Sequence, residues 1–275
     1  MGLLHRFAQA PKPLWLRRIL RWAVLAILPK TIPFHGYHLV VNREDHVMGS
    51  ALLRGRYEPY GTRLFVESLS PGMKVIDCGA NIGIYTCLAS GAVGREGKVY
   101  SFEPEPRNFA CLTETIRCNQ LANVQAGQLA LSDCDGEAAL FLSDMNMGDH
   151  RLGQPDEKRS SVHVLTRRLD TYWDGQIQEI DVLKIDVQGA EGLVLKGMRE
   201  TLLKSKRLKI FMEFWPFGLI RCGTDPRDML NELVKMGFTV QLIDQEQEKL
   251  RALASFSELL VSSDEETSFD LYLER

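Results

Sequence analysis

Short apolar segments alternate with amphipathic ones, a glycine turn closes the first of them, and carboxylates end four of them. Together these predict an α/β protein: an open, mostly parallel sheet with helices on both faces, preceded by a helical leader. Residues 74–78 (KVIDC) read as the first strand and 82–92 as the helix after it. Residues 98–102 form the second strand, 106–119 a helix opened by Pro106, and 124–131 the third strand. Residues 138–142 with 162–165 read as an antiparallel excursion. The alternation resumes with a strand at 180–187, a helix at 190–203, a strand at 208–214 and a helix at 226–236. Residues 238–243 and 269–273 are closing strands.

The leader differs in charge from the body. Up to Arg43 there is no acidic residue, while Arg6, Lys12, Arg17, Arg18, Arg21, Lys30 and Arg43 are basic; the whole chain carries −3. We therefore divide the chain into a basic helical leader, 1–44, and a main domain, 45–275. Residues 14–28 read as a helix stopped by Pro29, with three arginines on one face and Trp15 and Trp22 among the apolar remainder. Such a helix either lies in a membrane headgroup layer or docks on the domain. At about 22 Å it is too short for a bilayer core of about 30 Å. No signal-peptide cleavage site follows it, so the expected location is the cytoplasm, with peripheral contact at the inner membrane face only if the helix lies in the headgroup layer.

With 45% apolar and 25% charged residues, the 275-residue chain can bury a sizeable core. The acidic net charge and the lack of a basic patch beside the aromatics argue against a nucleic-acid partner. The six cysteines form no C-x-x-C pair and are expected to be free and mostly buried; no Cys/His cluster has metal-ligand spacing, so no metal site is expected.

The chemistry concentrates at the strand ends. In V-I-D-C-G-A-N-I-G, Asp77 closes a strand, and Gly79 and Gly83 bracket a tight turn into a helix. The turn is Rossmann-like but lacks the G-x-G-x-x-G triplet and any phosphate-binding lysine. An acidic residue beside it suits a ligand bearing an ammonium and a sulfonium. In F-E-P-E-P, Glu103 stands twenty residues after Gly83, where a carboxylate can accept from ribose hydroxyls. Asp186 closes the next strand in L-K-I-D-V-Q-G-A-E, and Glu213 closes the one after it; for Glu213 alone a structural role is as good a reading. The polar stretch 143–161 reads as a lid or binding loop, or else as a disordered segment, and carries His150, a candidate base or an ordinary loop histidine. Trp215 and Phe217 read as a stacking wall or as packing.

In combination these segments, with A-L-S-D, R-L-D and the upstream G-R-Y-E-P-Y-G-T-R-L-F, resemble the FkbM methyltransferase family over roughly residues 45–243. The resemblance implies a class I methyltransferase fold, S-adenosylmethionine as cofactor, and O-methylation of a hydroxyl on a sugar, glycolipid or other natural-product acceptor. It implies that Asp77, Gly79, Ala80, Asn81 and Gly83 contact the methionine moiety and that Glu103, with Pro104, holds the ribose. Asn108, Ala130, Leu131 and Ser132 would flank adenine, and Glu58 with Tyr57 would cover the cofactor. Asp186 would lie near the transferred methyl as the catalytic base, with His150 second. Gln188 departs from the pattern, since the family often has an acidic residue there. Two other readings stay open: a non-catalytic adenosylmethionine-binding module, and a nicotinamide-dependent oxidoreductase.

Overall fold

The computed structural model describes residues 29–41, 52, 57–143, 148–153, 158–173, 176–260 and 267–275. The leader helix and its membrane contact lie outside them. No described helix is long and apolar enough to cross a membrane.

Eight strands form the main sheet. Strands β3 (Lys74–Cys78), β4 (Lys98–Phe102), β5 (Val124–Gly127), β9 (Val182–Ile185) and β10 (Lys209–Phe214) run parallel in the order β10-β9-β3-β4-β5. Beyond β10 lie β13 (Phe269–Glu274), antiparallel to it, then β11 (Thr239–Asp244) and β12 (Lys249–Ala252). Successive strand residues point to opposite faces, and both faces are covered. Thus Ile76, Leu183 and Ile210 join one buried core, while Val75, Val182 and Phe211 join the other. This double burial is why these strands read as unbroken apolar runs. The chain builds β3, β4 and β5 outward, then returns to place β9 on the opposite side of β3. That reversal opens a crevice at the carboxyl ends of the strands.

The connecting helices are α1 (Pro59–Glu67), α2 (Ile84–Val93), α3 (Pro106–Cys118), the single turn α4 (Leu169–Tyr172), α5 (Glu191–Gly197), α6 (Arg199–Lys204), α7 (Pro216–Arg221), α8 (Pro226–Lys235) and the short α9 (Ser257–Leu260). Helix α3 has Pro106 in its first turn and a Glu105 cap that accepts from the Asn108 N–H at 2.7 Å.

Three expectations are corrected. The strand expected over 124–131 is two: β5 stays in the main sheet, and the chain then leaves it so that β6 (Ala130–Leu131) pairs parallel with β8 (Ser161–Arg167) in a small separate sheet. There β7 (Gly136–Phe141) pairs antiparallel with β8, the excursion expected from sequence. The helix expected over 190–203 breaks at Met198, because the Asp170 carboxylate caps a fresh start: it accepts from Glu200 N–H at 2.9 Å and Thr201 N–H at 3.0 Å. The R-L-D motif thus has a structural task. Finally, β1 (Thr31–Phe34) and β2 (Tyr37–Val40) make a hairpin in the segment read as leader, and Ile32, Phe34, Leu39 and Val41 enter the same core as Val75. All six cysteines are free; Cys78 and Cys87 are buried, Cys134 is exposed and the other three are half-buried.

Candidate active site

A cleft of about 250 Å³ opens at the crevice. Its floor is the turn after β3. The Gly79 and Ala80 N–H groups both donate to the Phe102 carbonyl at 3.0 Å, tying this turn to the end of β4. Gly79 has φ 79, and a Cβ there would lie 1.9 Å from the Asp186 carbonyl oxygen, so only glycine lets β9 approach so closely. Glu103 completes the tie: its carboxylate accepts from Asn81 N–H through Oε2 and from Glu105 N–H through Oε1, both at 2.9 Å. Burial pushes this carboxyl up to about 7, against the pull of those two donors and with Glu105 and Asp77 adding to the rise. Asp77 is buried and accepts from Thr86 Oγ1 on α2 at 2.6 Å; burial pushes it up to about 6.

The far wall comes from β9 and β10. Asp186 keeps a quarter of its side chain exposed, toward the cleft, while Lys184 two residues earlier is 5% exposed. Lys184 Nζ lies 3.4 Å from Asp186 Oδ2 and 4.9 Å above the Tyr85 ring. Burial alone would lower its ammonium, but Asp186, Glu58, Asp270 and Glu213 outweigh that and raise it. Tyr85 donates to Glu58 Oε2 at 2.5 Å, and burial pushes Glu58 up to about 7. Burial, then the neighbouring Asp186 and Glu191, holds Glu213 well above the usual carboxylate range. Gln188 Nε2 donates to Asp186 Oδ1 at 2.9 Å and to Glu213 Oε2 at 2.7 Å. Glu191 serves the turn itself, accepting from Val187 and Gly189 N–H. Among the described residues no group of three or more His, Cys, Asp or Glu is placed to hold a metal ion.

His150 lines the third side. Its Nδ1 accepts from Ser143 N–H at 3.1 Å, and burial lowers the imidazole to about 4, so it is neutral with its proton on Nε2. In that tautomer Nε2 donates; it cannot take a proton. This Nε2 is buried, with no hydrogen-bond partner among the described residues.

Of the residues singled out from sequence, Glu58, Asp77, Gly79, Ala80, Asn81, Glu103, Pro104, Asn108, Ala130, Leu131, His150 and Asp186 all line the cleft, as do Tyr57 and Glu213. Gly83 and Ser132 do not. At Gly83, φ 99, an added Cβ would meet Leu112 Cδ1 at 2.9 Å, so this glycine lets α2 pack on α3. Ser132 is buried, its hydroxyl on Asp133 Oδ1. Trp215 is buried beneath the Arg151 guanidinium, 4.3 Å from its ring centre, and lies outside the cleft with Phe217. Lys184, Tyr85 and Asp270 went unnoticed in the sequence.

Residues 77–240, more than half of the chain, match the model of the methyltransferase FkbM domain. The chain belongs to the FkbM methyltransferase family. It is 29% identical over 187 residues to methyltransferase sdnD of Sordaria araneosa, covering 56% of this chain and 71% of that protein. It is 27% identical over 182 residues to the hexuronic acid methyltransferase AglP of Haloferax volcanii, covering 66% of this chain and 69% of the relative. The 2-O-methyltransferase NoeI of Sinorhizobium fredii is 30% identical over 128 residues, 40% of this chain and 51% of the relative.

This FkbM protein is an S-adenosylmethionine-dependent methyltransferase on a Rossmann-like α/β fold. The donor set of its cleft fits that cofactor. Each Glu103 oxygen has a further lone pair for a hydroxyl, and the acidic lining suits a ligand with two cationic centres. A dinucleotide's pyrophosphate would meet the same carboxylates unfavourably.

Proposed function

We propose that this FkbM protein methylates a hydroxyl oxygen of a sugar or sugar-like small molecule. The observation that carries the reading is the Asp186 carboxylate, which faces the cleft and is held at both oxygens, by Lys184 and by Gln188. The names of two relatives, a hexuronic acid methyltransferase and a 2-O-methyltransferase, support a sugar-like acceptor methylated on oxygen.

In this reading Glu103 accepts from the ribose hydroxyls, with Pro104 beside it. Asp77, Gly79, Ala80 and Asn81 receive the methionine end; Asn108, Ala130 and Leu131 flank the adenine; Tyr57 and Glu58 cover the opening. When bound, adenosylmethionine supplies an electrophilic methyl whose sulfonium becomes a neutral thioether on transfer. Asp186 would take the proton of the acceptor hydroxyl, a general-base contribution of about 10²- to 10⁴-fold. Orienting the acceptor against the bound cofactor would contribute more, roughly 7–11 kcal/mol. His150 donates to a substrate oxygen and takes no proton. Peripheral membrane contact through the leader would bring lipid-linked sugars within reach.

Incubation with methyl-labelled adenosylmethionine and a panel of methyl hexosides and hexuronides is expected to give O-methyl products by mass spectrometry. Label appearing only on nitrogen or sulfur nucleophiles in a parallel panel would overturn the oxygen assignment. Glu103→Ala should weaken adenosylmethionine binding by about 1–3 kcal/mol, since the ribose loses a charged partner. Calorimetry on a mutant shown to remain folded checks it; an unchanged affinity refutes the ribose role.

A further inference from the structure

Gln188 adopts φ 53, a left-handed conformation that glycine takes freely and a side-chain-bearing residue takes at a cost. The turn it occupies is already shaped by Gly189 at φ 99 and by the Glu191 carboxylate, which accepts from two of its N–H groups. The turn's hydrogen bonds therefore give no reason for a glutamine at 188. What the side chain does is hold two carboxyl groups from neighbouring strands on one nitrogen, at 2.9 Å from Asp186 and 2.7 Å from Glu213. A carboxylate in its place would bring no N–H donor and a further negative charge into a cluster that already contains Glu58, Asp186, Glu213 and Asp270 around Lys184.

Resting on the acceptor class argued above, we propose that Gln188 is a positioning residue of the acceptor site. Its amide yokes Asp186 to Glu213, so that one carboxyl group takes the proton of the reacting hydroxyl while the other holds an adjacent oxygen of the same molecule. The acceptor class this selects is a vicinal diol, as on adjacent ring carbons of a sugar. Two carboxyl groups sharing one nitrogen are close enough for two neighbouring hydroxyls to reach one each. Burial, with Asp186 and Glu191 beside it, raises the Glu213 carboxyl and so favours the protonated form that would donate to the second oxygen. Asp186, with the Lys184 ammonium 3.4 Å from its Oδ2, is the acceptor of the pair. The charged and titratable groups around this pair are Lys184, Tyr85, Tyr57, Glu58, Asp77 and Asp270, with Glu191 at the start of α5.

The test compares the parent chain with Gln188→Gly and Gln188→Glu, using a methyl glycoside methylated by the parent and its analogue lacking the neighbouring hydroxyl. Gln188→Gly should melt no lower than the parent, since glycine relieves the strained φ, and should bind adenosylmethionine within twofold. Its kcat/KM for the diol should fall at least tenfold, and its preference for the diol over the deoxy analogue should collapse. Gln188→Glu, similar in length but without the N–H donors, should fall comparably. A second readout needs no acceptor. The protonated-carboxyl infrared band of Glu213, assigned by its loss in Glu213→Gln, should titrate at higher pH in Gln188→Gly, because the lost donor favoured the charged form. Diol turnover within twofold of the parent in either variant, an unmoved titration, or a drop in melting temperature with loss of cofactor affinity would each overturn the proposal. A parent that methylates no glycoside at all would instead fail the acceptor class, and the infrared titration would still decide whether the amide yokes the pair.

Discussion

Asp186→Asn is expected to lower turnover by about 10²- to 10⁴-fold, the range of a lost general base, while leaving adenosylmethionine affinity within a few-fold. The substitution keeps shape and removes proton affinity. Its amide still accepts one hydrogen bond, from Lys184 or from Gln188, and Glu58, Glu213 and Asp270 remain around the ammonium, so the wall of the cleft should stand. The loss should fall on kcat and kcat/KM together, since the base acts in the transition state. Saturation kinetics beside calorimetry on the same preparations separate the two. Equal turnover in mutant and parent would remove Asp186 from the chemistry. His150 could then serve only after a ring flip or a tautomer change, because its Nδ1 is occupied by the Ser143 N–H.

The parallel half of this fold is legible in the sequence for a physical reason. Strands buried on both faces must be apolar throughout, and each ends in a polar residue where the chain turns over the crevice, as at Asp77, Glu103, Asp186 and Glu213. Two of the misreadings share another cause: the feature depends on a partner distant in sequence. Residues 124–131 have continuous strand character, and only pairing with β8 separates β6 from β5. The break at Met198 is made by Asp170, thirty residues before the Glu200 amide it caps. The β1–β2 hairpin is masked by Pro33 inside a strand, which this two-stranded pair outside the main sheet tolerates.

The site divides in the same way. Glu103 and the glycine turn announce themselves locally and turn out to be one unit, the carboxylate holding the turn that precedes it. Gly83 has the sequence signature of a ligand-binding glycine, yet the close neighbour that requires it is Leu112 on α3. Asp270 has no local signal, since it starts an antiparallel strand and reaches the cluster only through its register opposite Glu213. Lys184 did have one: a lysine in V-L-K-I, where both faces of the strand are buried, is out of place unless a carboxylate meets it.

That lysine should be the most sensitive position for stability. Lys184→Met keeps the stem packed but leaves Glu58, Asp186, Glu213 and Asp270 without their shared cation, and removing one partner of a buried charge group costs about 3–5 kcal/mol. The cost should depend on pH, with a sign that follows from the shifts. Glu58 is pushed up to about 7 in the folded protein, and Glu213 and Asp270 are also raised. A carboxyl raised on folding binds its proton more tightly in the native state. Its contribution is therefore fully present below the unfolded value, near 4.5, and is lost as pH rises through the folded value. Without the ammonium these groups rise further, so the deficit of Lys184→Met should widen from pH 5 to pH 8. At pH 8 the melting temperature should fall by on the order of 10 °C, and at pH 5 by a few degrees at most. Thermal unfolding of both proteins across that range measures it. An equal deficit at both ends would mean that Lys184 matters only for packing, and no deficit at pH 8 would mean that the carboxylates had already neutralised themselves without it.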